Sequence, residues 1–311
     1  MMASSLTHPS AADMMSWSRA KAFLLNAGWS LDDNSRGGSD LCFDHKTSLG
    51  QLTDHELVDD DQVDAHALLR AAGGGVLDRK LADSVEDATT VDEVLVGLNW
   101  TIVRAGPFVG IARSPQRGTG GARTVRQGEP IAGRSLSCLA QWLCSLDPLR
   151  RSVGLAAVNA YWNRPERGTV VSHKWGLAAF DPPGDGLVII GGFRQAQKRL
   201  FAARIVEREP KDNDIPEDES SVALQSARAV AITAQTLMNG SLEPLLNRVG
   251  QQAERLLVGP SAPVAPVVLE SGIDRVSGLA ITDGDAAASF IKETGTMIAL
   301  DHMTAQLELA R

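Results

Sequence analysis

The residues best suited to chemistry sit in polar loops between short apolar runs. One loop carries Thr236, Asn239, Gly240 and Ser241; another is Gly259-Pro260-Ser261-Ala262-Pro263. Thr236 and Ser241 bring hydroxyls and Asn239 can donate and accept, a set suited to a polar ligand. Ser241 also suits the start of the helix holding Glu243 and Leu245, and that capping role can coexist with binding. In the second loop the prolines stiffen the backbone and Ser261 can hydrogen-bond at a helix start. Neither a GxSxG elbow nor a placed histidine accompanies Ser261, so a binding loop is expected there and not a nucleophile. Gly191 and Gly192 follow the apolar run LVII; without β-carbons they permit a tight turn and close backbone approach to an anion. A turn serving sheet topology alone is the alternative, and the full GxGxxG fingerprint of dinucleotide binding is absent.

Acidic residues offer the opposite charge. Glu207, Glu209, Asp212 and Asp214 surround Pro210. Glu207 leaves an expected strand where an acid in nucleotide-binding folds reaches a ribose hydroxyl, and Glu209 with Asp214 can serve a hard metal if the loop folds inward. A solvated loop between Pro210 and Pro216 is the bland alternative. Asn159 lies among Gly154, Ala156, Ala157 and Ala160, where an unpaired amide is costly; it either caps nearby backbone or points into a cleft. His173 can coordinate a metal or move a proton, with a local hydrogen bond as the alternative.

The elements that must position these residues are legible from periodicity. Residues 230–233, 255–258 and 276–281 are strand-length apolar runs, separated by helix-like segments at 241–249 and 265–271. That alternation argues for a parallel sheet with crossover helices, and its loops fall at the carboxyl ends of strands, where open α/β sheets hold ligands. Leu187–Ile190 and residues 203–206 add strands. Upstream, 94–103 and 108–112 read as a hairpin broken at 104–107, followed by a helix over 136–143. Asp147 then caps a second helix with Pro148 at its first position. These make a small α+β domain whose core begins near Val91. Further upstream, 17–29 has a helical apolar face (Ala20, Phe23, Leu24, Ala27). Residues 54–64 concentrate acid beside His45, His55 and His66, without an EF-hand order or an HExxH helix.

Composition sets the outer limits. The 311 residues can build two domains; 43% are hydrophobic and 22% charged, as in soluble globular proteins. A net charge of -8 argues against a general nucleic-acid surface, no run is long enough to cross a bilayer, and no secretory leader is expected. Cys42, Cys138 and Cys144 form no CxxC pair, so a reducing cytoplasm is the expected location. Cys138 and Cys144, roughly 240° apart around a helix, read as buried thiols filling core space.

Several spaced motifs carry a family resemblance over the last two thirds of the chain. They are IIGGF at 189–193, EREP at 207–210 with DIP at 214–216, ITAQTLMNGSLEPLL at 232–246, VGPSAPVAP at 258–266 and GIDRVSG at 272–278. With VGLNWTIV at 96–103 and GLAAVNA at 154–160, the chain resembles the heavy-metal-chelation domain family together with the domain that commonly precedes it. The resemblance implies an α/β protein: a Rossmann-like parallel-sheet domain at 166–311 after an enolase-amino-terminal-like α+β domain at 89–165, with a cleft between them. Residues 1–88 are then an acidic, partly helical extension. A shared fold does not imply enolase activity. The glycine-rich loops carry no cysteine, and His173 is the only histidine between the two matched regions, both departures from simple chelation.

The function expected is binding of a small ligand, a heavy metal or a metal chelate in the cleft, in metal homeostasis or metallocofactor assembly. Gly191, Gly192, Thr236, Asn239, Gly240, Ser241, Gly259, Ser261 and Asn159 are the ligand candidates. Glu209, Asp214 and His173 are the candidates for a divalent or heavy-metal ion, and no catalytic residue is assigned. An enzyme acting on a small phosphorylated or nucleotide-like substrate is the second reading, drawing on Glu207, Glu209 and His173. A dimeric scaffold using the acidic extension is the third. The expected partners are a small anionic ligand or metal chelate and a second copy of the chain, with neither nucleic acid nor membrane.

Overall fold

The computed structural model describes residues 75–115, 131–145, 147–171, 177, 180–211, 213–293 and 302–311, with the backbone of five short strands nearer the amino terminus. Of those five, β1 (Met14–Ser16) pairs antiparallel with β5 (Gln62–Asp64). β2 (Trp29–Asn34), β3 (Gly38–Phe43) and β4 (Thr47–Ser48) form a separate antiparallel sheet. The helix expected over 17–29 lies outside the described residues apart from Trp29, which begins β2. Most of the acidic 54–64 stretch lies outside them too.

The small unit begins at α1 (Val76–Asp83) and continues as a meander of β6 (Glu93–Val96), β7 (Trp100–Ala105) and β8 (Phe108–Arg113). The run expected as one strand over 94–103 is split, because Gly97 donates its N–H to Trp100 O and turns the chain. α2 (Leu136–Ala140) passes into a 3-10 turn, and α3 (Pro148–Trp162) follows. Asp147 starts α3 as expected: its carboxylate accepts from Leu149 N at 2.8 Å and Arg150 N at 3.3 Å, with Pro148 at the first position. The small residues of α3 let backbones touch. A β-carbon on Gly110 of β8 would lie 2.1 Å from Ala160 N, and one on Gly154 would lie 2.1 Å from Leu143 N. Leu77 and Leu81 of α1 share the core of Leu139, Leu143 and Val153, so the boundary expected at residue 88 falls inside one packed unit. Cys144 is buried, and burial pushes its thiol up to about 12. Cys138 is exposed, contrary to the expectation of two core thiols, because α2 turns that face outward.

The large unit is an eight-stranded sheet. In chain order it contains β9 (Thr169–Val171), β10 (Leu187–Ile190), α4 (Arg194–Gln197), β11 (Arg204–Glu207), β12 (Ile215–Pro216), α5 (Ser221–Gln225) and β13 (Ala229–Thr233). α6 (Gln235–Met238), α7 (Leu242–Leu246), β14 (Glu254–Val258), α8 (Pro266–Glu270), β15 (Arg275–Ile281), α9 (Gly284–Lys292) and β16 (Thr304–Ala310) complete it. In space the order is β12-β11-β10-β13-β14-β15-β16-β9, parallel from β12 to β15 and antiparallel at the last two pairings. The buried run LVII of β10 is what a parallel strand covered on both faces requires.

The two units are not separated by an open cleft. One core joins Leu81, Val103 and Leu155 to Ile232, Leu257 and Val264. Another joins Trp100, Ile102 and Ile111 to Leu279 and Ile291. Each such side chain contributes about 1.5–3 kcal/mol on burial, so the contact is structural cement. What remains of a cleft is a small cavity at one end. Among the described residues no helix is long and apolar enough to cross a membrane.

Candidate functional site

The sheet's connectivity creates the opening. From β10 the chain builds outward to β11 and β12, then returns to β13 on the other side and continues to β14 and β15. That reversal leaves a crevice at the carboxyl ends of β10 and β13. There lies a cavity of about 100 Å³, partly open to solvent. Gly192 and Phe193 wall it after β10, Thr233, Ala234 and Gln235 after β13, and Gly259, Pro260 and Ser261 after β14. The small unit closes the remaining side with Trp100 and Arg113.

Two glycines shape these loops. Gly191 has φ +101°, and a β-carbon there would sit 2.7 Å from Thr233 Cγ2, so the β10 turn can press against the β13 loop only with glycine. Gly259 has φ +122° and faces the Phe193 ring across the cavity. Gly192 and Ser261 carry backbone N–H groups that donate to no acceptor among the described residues.

Arg113 supplies the charge. It ends β8 directly opposite Trp100 in register, and its guanidinium lies 5.3 Å from the Trp100 ring centroid. Its backbone N–H donates to Ser261 Oγ at 2.9 Å. Among the described residues no carboxylate pairs with the guanidinium, and burial alone lowers its pKa from the ordinary arginine value. Arginine nevertheless stays protonated at any pH the fold meets. The described wall therefore holds a half-buried cation and hydrogen-bond donors, but no carboxylate, thiol or imidazole. Such a wall suits an anion. Among the described residues it offers no carboxylate, thiolate or imidazole, the usual ligands of a bare divalent or heavy metal, and only neutral oxygens from Thr233, Gln235 and Ser261.

The ligand candidates from sequence divide. Gly192, Gly259 and Ser261 line the cavity, and Gly191 sets the turn behind it. Ser261 is buried, its Oγ held by Arg113 N and its carbonyl accepting from Asn159 Nδ2 at 3.1 Å. Asn159, 1% exposed, also donates to Ile111 O at 2.8 Å, while its Oδ1 has no hydrogen-bond partner among the described residues. It rivets β8 to the Gly259 loop from behind. Asn163 repeats the device, donating to Ala262 O at 2.9 Å and accepting from Val264 N at 2.7 Å.

The remaining candidates lie elsewhere. Thr236 turns its hydroxyl onto Thr233 O at 2.7 Å. The one-turn α6 carries Thr236 and Gly240 to the far side, beside Gly75, Asp78 and Glu243. Asn239 is exposed, and its Oδ1 accepts from Ser241 N at 3.0 Å and Ser241 Oγ at 2.6 Å. Ser241 makes no side-chain cap to α7; the hydroxyl is committed to that turn. Of the metal candidates, Glu209 and Asp214 are described. Glu209 is exposed, Asp214 accepts from Lys211 N at 2.9 Å in its own turn, and His173 lies outside the described residues. Among the described residues no three His, Cys, Asp or Glu side chains form a metal-holding group. Glu207 stands just outside the cavity, where a β-carbon on Gly192 would come within 2.9 Å of its Oε1.

The far side of α6 is closed by charge. Arg151 of α3 pairs with Asp78 of α1 at 2.7 Å and also donates to Leu237 O at the end of α6. Burial raises the Asp78 carboxyl above its ordinary value, offset in part by Arg151 and the Gly75 N–H. Glu243 of α7 accepts from Leu77 N at 3.3 Å, and its carboxyl too is raised by burial.

Trp100 and Arg113 escaped the sequence reading. The available signal was an arginine ending an apolar strand, but its strand partner Trp100 becomes apparent only once the β7–β8 register is known.

Two family models match the chain, both described as "Putative heavy-metal chelation": one over residues 79–162, the other over 179–308. An uncharacterized protein of Methanocaldococcus jannaschii is 26% identical over 160 residues, which are 48% of this chain and 61% of that protein. This chain thus spans about three fifths of that relative's length. Two solved structures, both of proteins with unknown function in the family of the 179–308 match, share the fold. That from Desulfitobacterium hafniense has a TM-score of 0.66 at 24% identity, covering 76% of this chain and 97% of the other. That from Pyrococcus horikoshii has a TM-score of 0.62 at 18% identity, covering 76% and 98%.

Proposed function

We propose, from the premise that this chain belongs to the family bearing that heavy-metal description, that the cavity at the junction of its two units binds a small anionic ligand. A metal reaches this cavity inside an anion or chelate, with oxygen atoms facing the wall. The observation that carries this reading is Arg113: a half-buried guanidinium stacked on Trp100, with no carboxylate partner among the described residues, beside the carboxyl-end loops of three parallel strands. The buried Arg151 carries its counter-charge in Asp78, whereas the half-buried Arg113 faces the cavity with none among the described residues. A role in metal homeostasis or metallocofactor assembly is consistent with this chemistry.

The test is thermal unfolding of the full chain with bare nickel or zinc chloride, and with an anion panel of phosphate, sulfate, molybdate, citrate and nickel citrate. A ligand that binds only the folded state raises the melting temperature. At least one anion is expected to do so, and the bare divalent metals are not. Stabilisation by a bare metal that disappears in Glu209→Ala or Asp214→Ala would move the site to the acidic loop.

A further inference from the structure

We infer, resting on the anion-binding reading above, that the occupant of the cavity is a tetrahedral oxyanion. Size is the first argument. At about 100 Å³ the cavity has room for a central atom and its oxygens and is far below the ~300–1,000 Å³ of pockets that enclose drug-sized ligands. A nucleotide or a metal with a multidentate organic chelator has to leave most of its bulk outside.

Donor chemistry is the second argument. The described lining residues carry donors suited to an oxygen-rich surface: the Arg113 guanidinium, the Gln235 side-chain amide, the Thr233 hydroxyl, and the N–H groups of Gly192 and Ser261. Its titratable side chain, among the described residues, is Arg113. A planar guanidinium presents paired N–H groups matched to two oxygens of one anion. The Arg113 guanidinium is also held before any ligand arrives by the Trp100 ring, and the backbone bond from Arg113 N–H to Ser261 Oγ fixes the strand end that carries it. The ordering cost of binding is therefore reduced.

This class also reconciles the wall with a heavy metal. The described cavity has no carboxylate, thiolate or imidazole for a bare cation, whereas an oxometalate shows a protein only oxygen and negative charge. Phosphate and sulfate share that outline, so the source of the oxyanion has to be separated by experiment.

Isothermal titration of the full chain with sodium molybdate, tungstate, phosphate and sulfate, and separately with citrate and nickel citrate, provides the test. At least one of the four tetrahedral ions is expected to bind, with Arg113→Met weakening it about tenfold or more and Arg113→Lys recovering part of the loss. Molybdate or tungstate outcompeting phosphate assigns a metal oxyanion; the reverse assigns a phosphate or sulfate site within the same class. Arg113-dependent binding of citrate or nickel citrate, with all four ions inert, overturns the oxyanion while leaving an anion site standing. No Arg113-dependent binding by any member removes both. If the Arg113 variants do not fold, Gln235→Ala, at an exposed wall position, replaces them, with oxyanion affinity expected to fall about threefold. Unchanged affinity in that folded variant counts against the assignment.

Discussion

Two arginines of the small unit reach the loops of the large sheet on opposite sides of α6, in opposite electrical circumstances. Arg151 is sunk in the joint with Asp78 at 2.7 Å and the Leu237 carbonyl on its guanidinium. Arg113 lies half-buried at the cavity, stacked on Trp100, without a carboxylate among the described residues. The first is complete as it stands, so its charge serves the fold. The second would find its counter-charge in the proposed anion. The same residue type thus marks cement in one place and a proposed receptor in the other, and their neighbours in the fold separate them where sequence cannot.

The sharpest way to break the comparison is to remove one partner from each. Asp78→Ala leaves Arg151 buried and unpaired, which is expected to cost about 3–5 kcal/mol in chemical denaturation. Asn159→Ala leaves the Ile111 and Ser261 carbonyls without their amide donor and is expected to cost about 1–3 kcal/mol. Arg113→Met is expected to change stability by about 1 kcal/mol or less, since it ends no ion pair, while anion affinity falls about tenfold. If Arg113→Met destabilises the protein as much as Asp78→Ala, Arg113 is cement as well and the contrast collapses.

The smallest effect concerns Glu243, at the edge of the Arg151 side. Burial, then the nearby Asp78 charge, raise its carboxyl above the ordinary 4.5, so the folded chain holds that proton more tightly than the unfolded chain does. Its contribution to stability is therefore greatest below about pH 4.5 and is lost as pH rises through the folded value. Glu243→Gln should flatten that part of a stability-against-pH curve, with little change in the fold, because the amide oxygen can still accept from Leu77 N. An unchanged slope in the variant would show that another group produces it.

Local pattern was enough for much of the fold. The run LVII, the caps at Asp147 and Pro148, and the three apolar runs between 229 and 281 come from short-range rules of periodicity and capping, and each is an element of the structure. The site was half legible. Gly192, Gly259 and Ser261 follow strands that can be read locally, so their place at the sheet's carboxyl end was foreseeable. Asn239 and Ser241 looked equivalent to them, but a single helical turn, α6, carries them past the opening, where they bond to each other. Trp100 and Arg113 depend on antiparallel register and on docking of one unit against another, neither of which a local spacing encodes. Asn159 illustrates the same limit: its amide reaches Ser261, and only tertiary packing brings them together.

The most direct measurement is a crystal structure of the full chain soaked in molybdate or tungstate, read through the anomalous signal of the metal. The account predicts a peak in the junction cavity, with oxygens about 2.7–3.2 Å from the Arg113 guanidinium and the Gly192 N–H. A peak at the loop of Glu209 and Asp214, or a cavity that stays empty of anion at saturating concentration while the ion binds elsewhere, would contradict it.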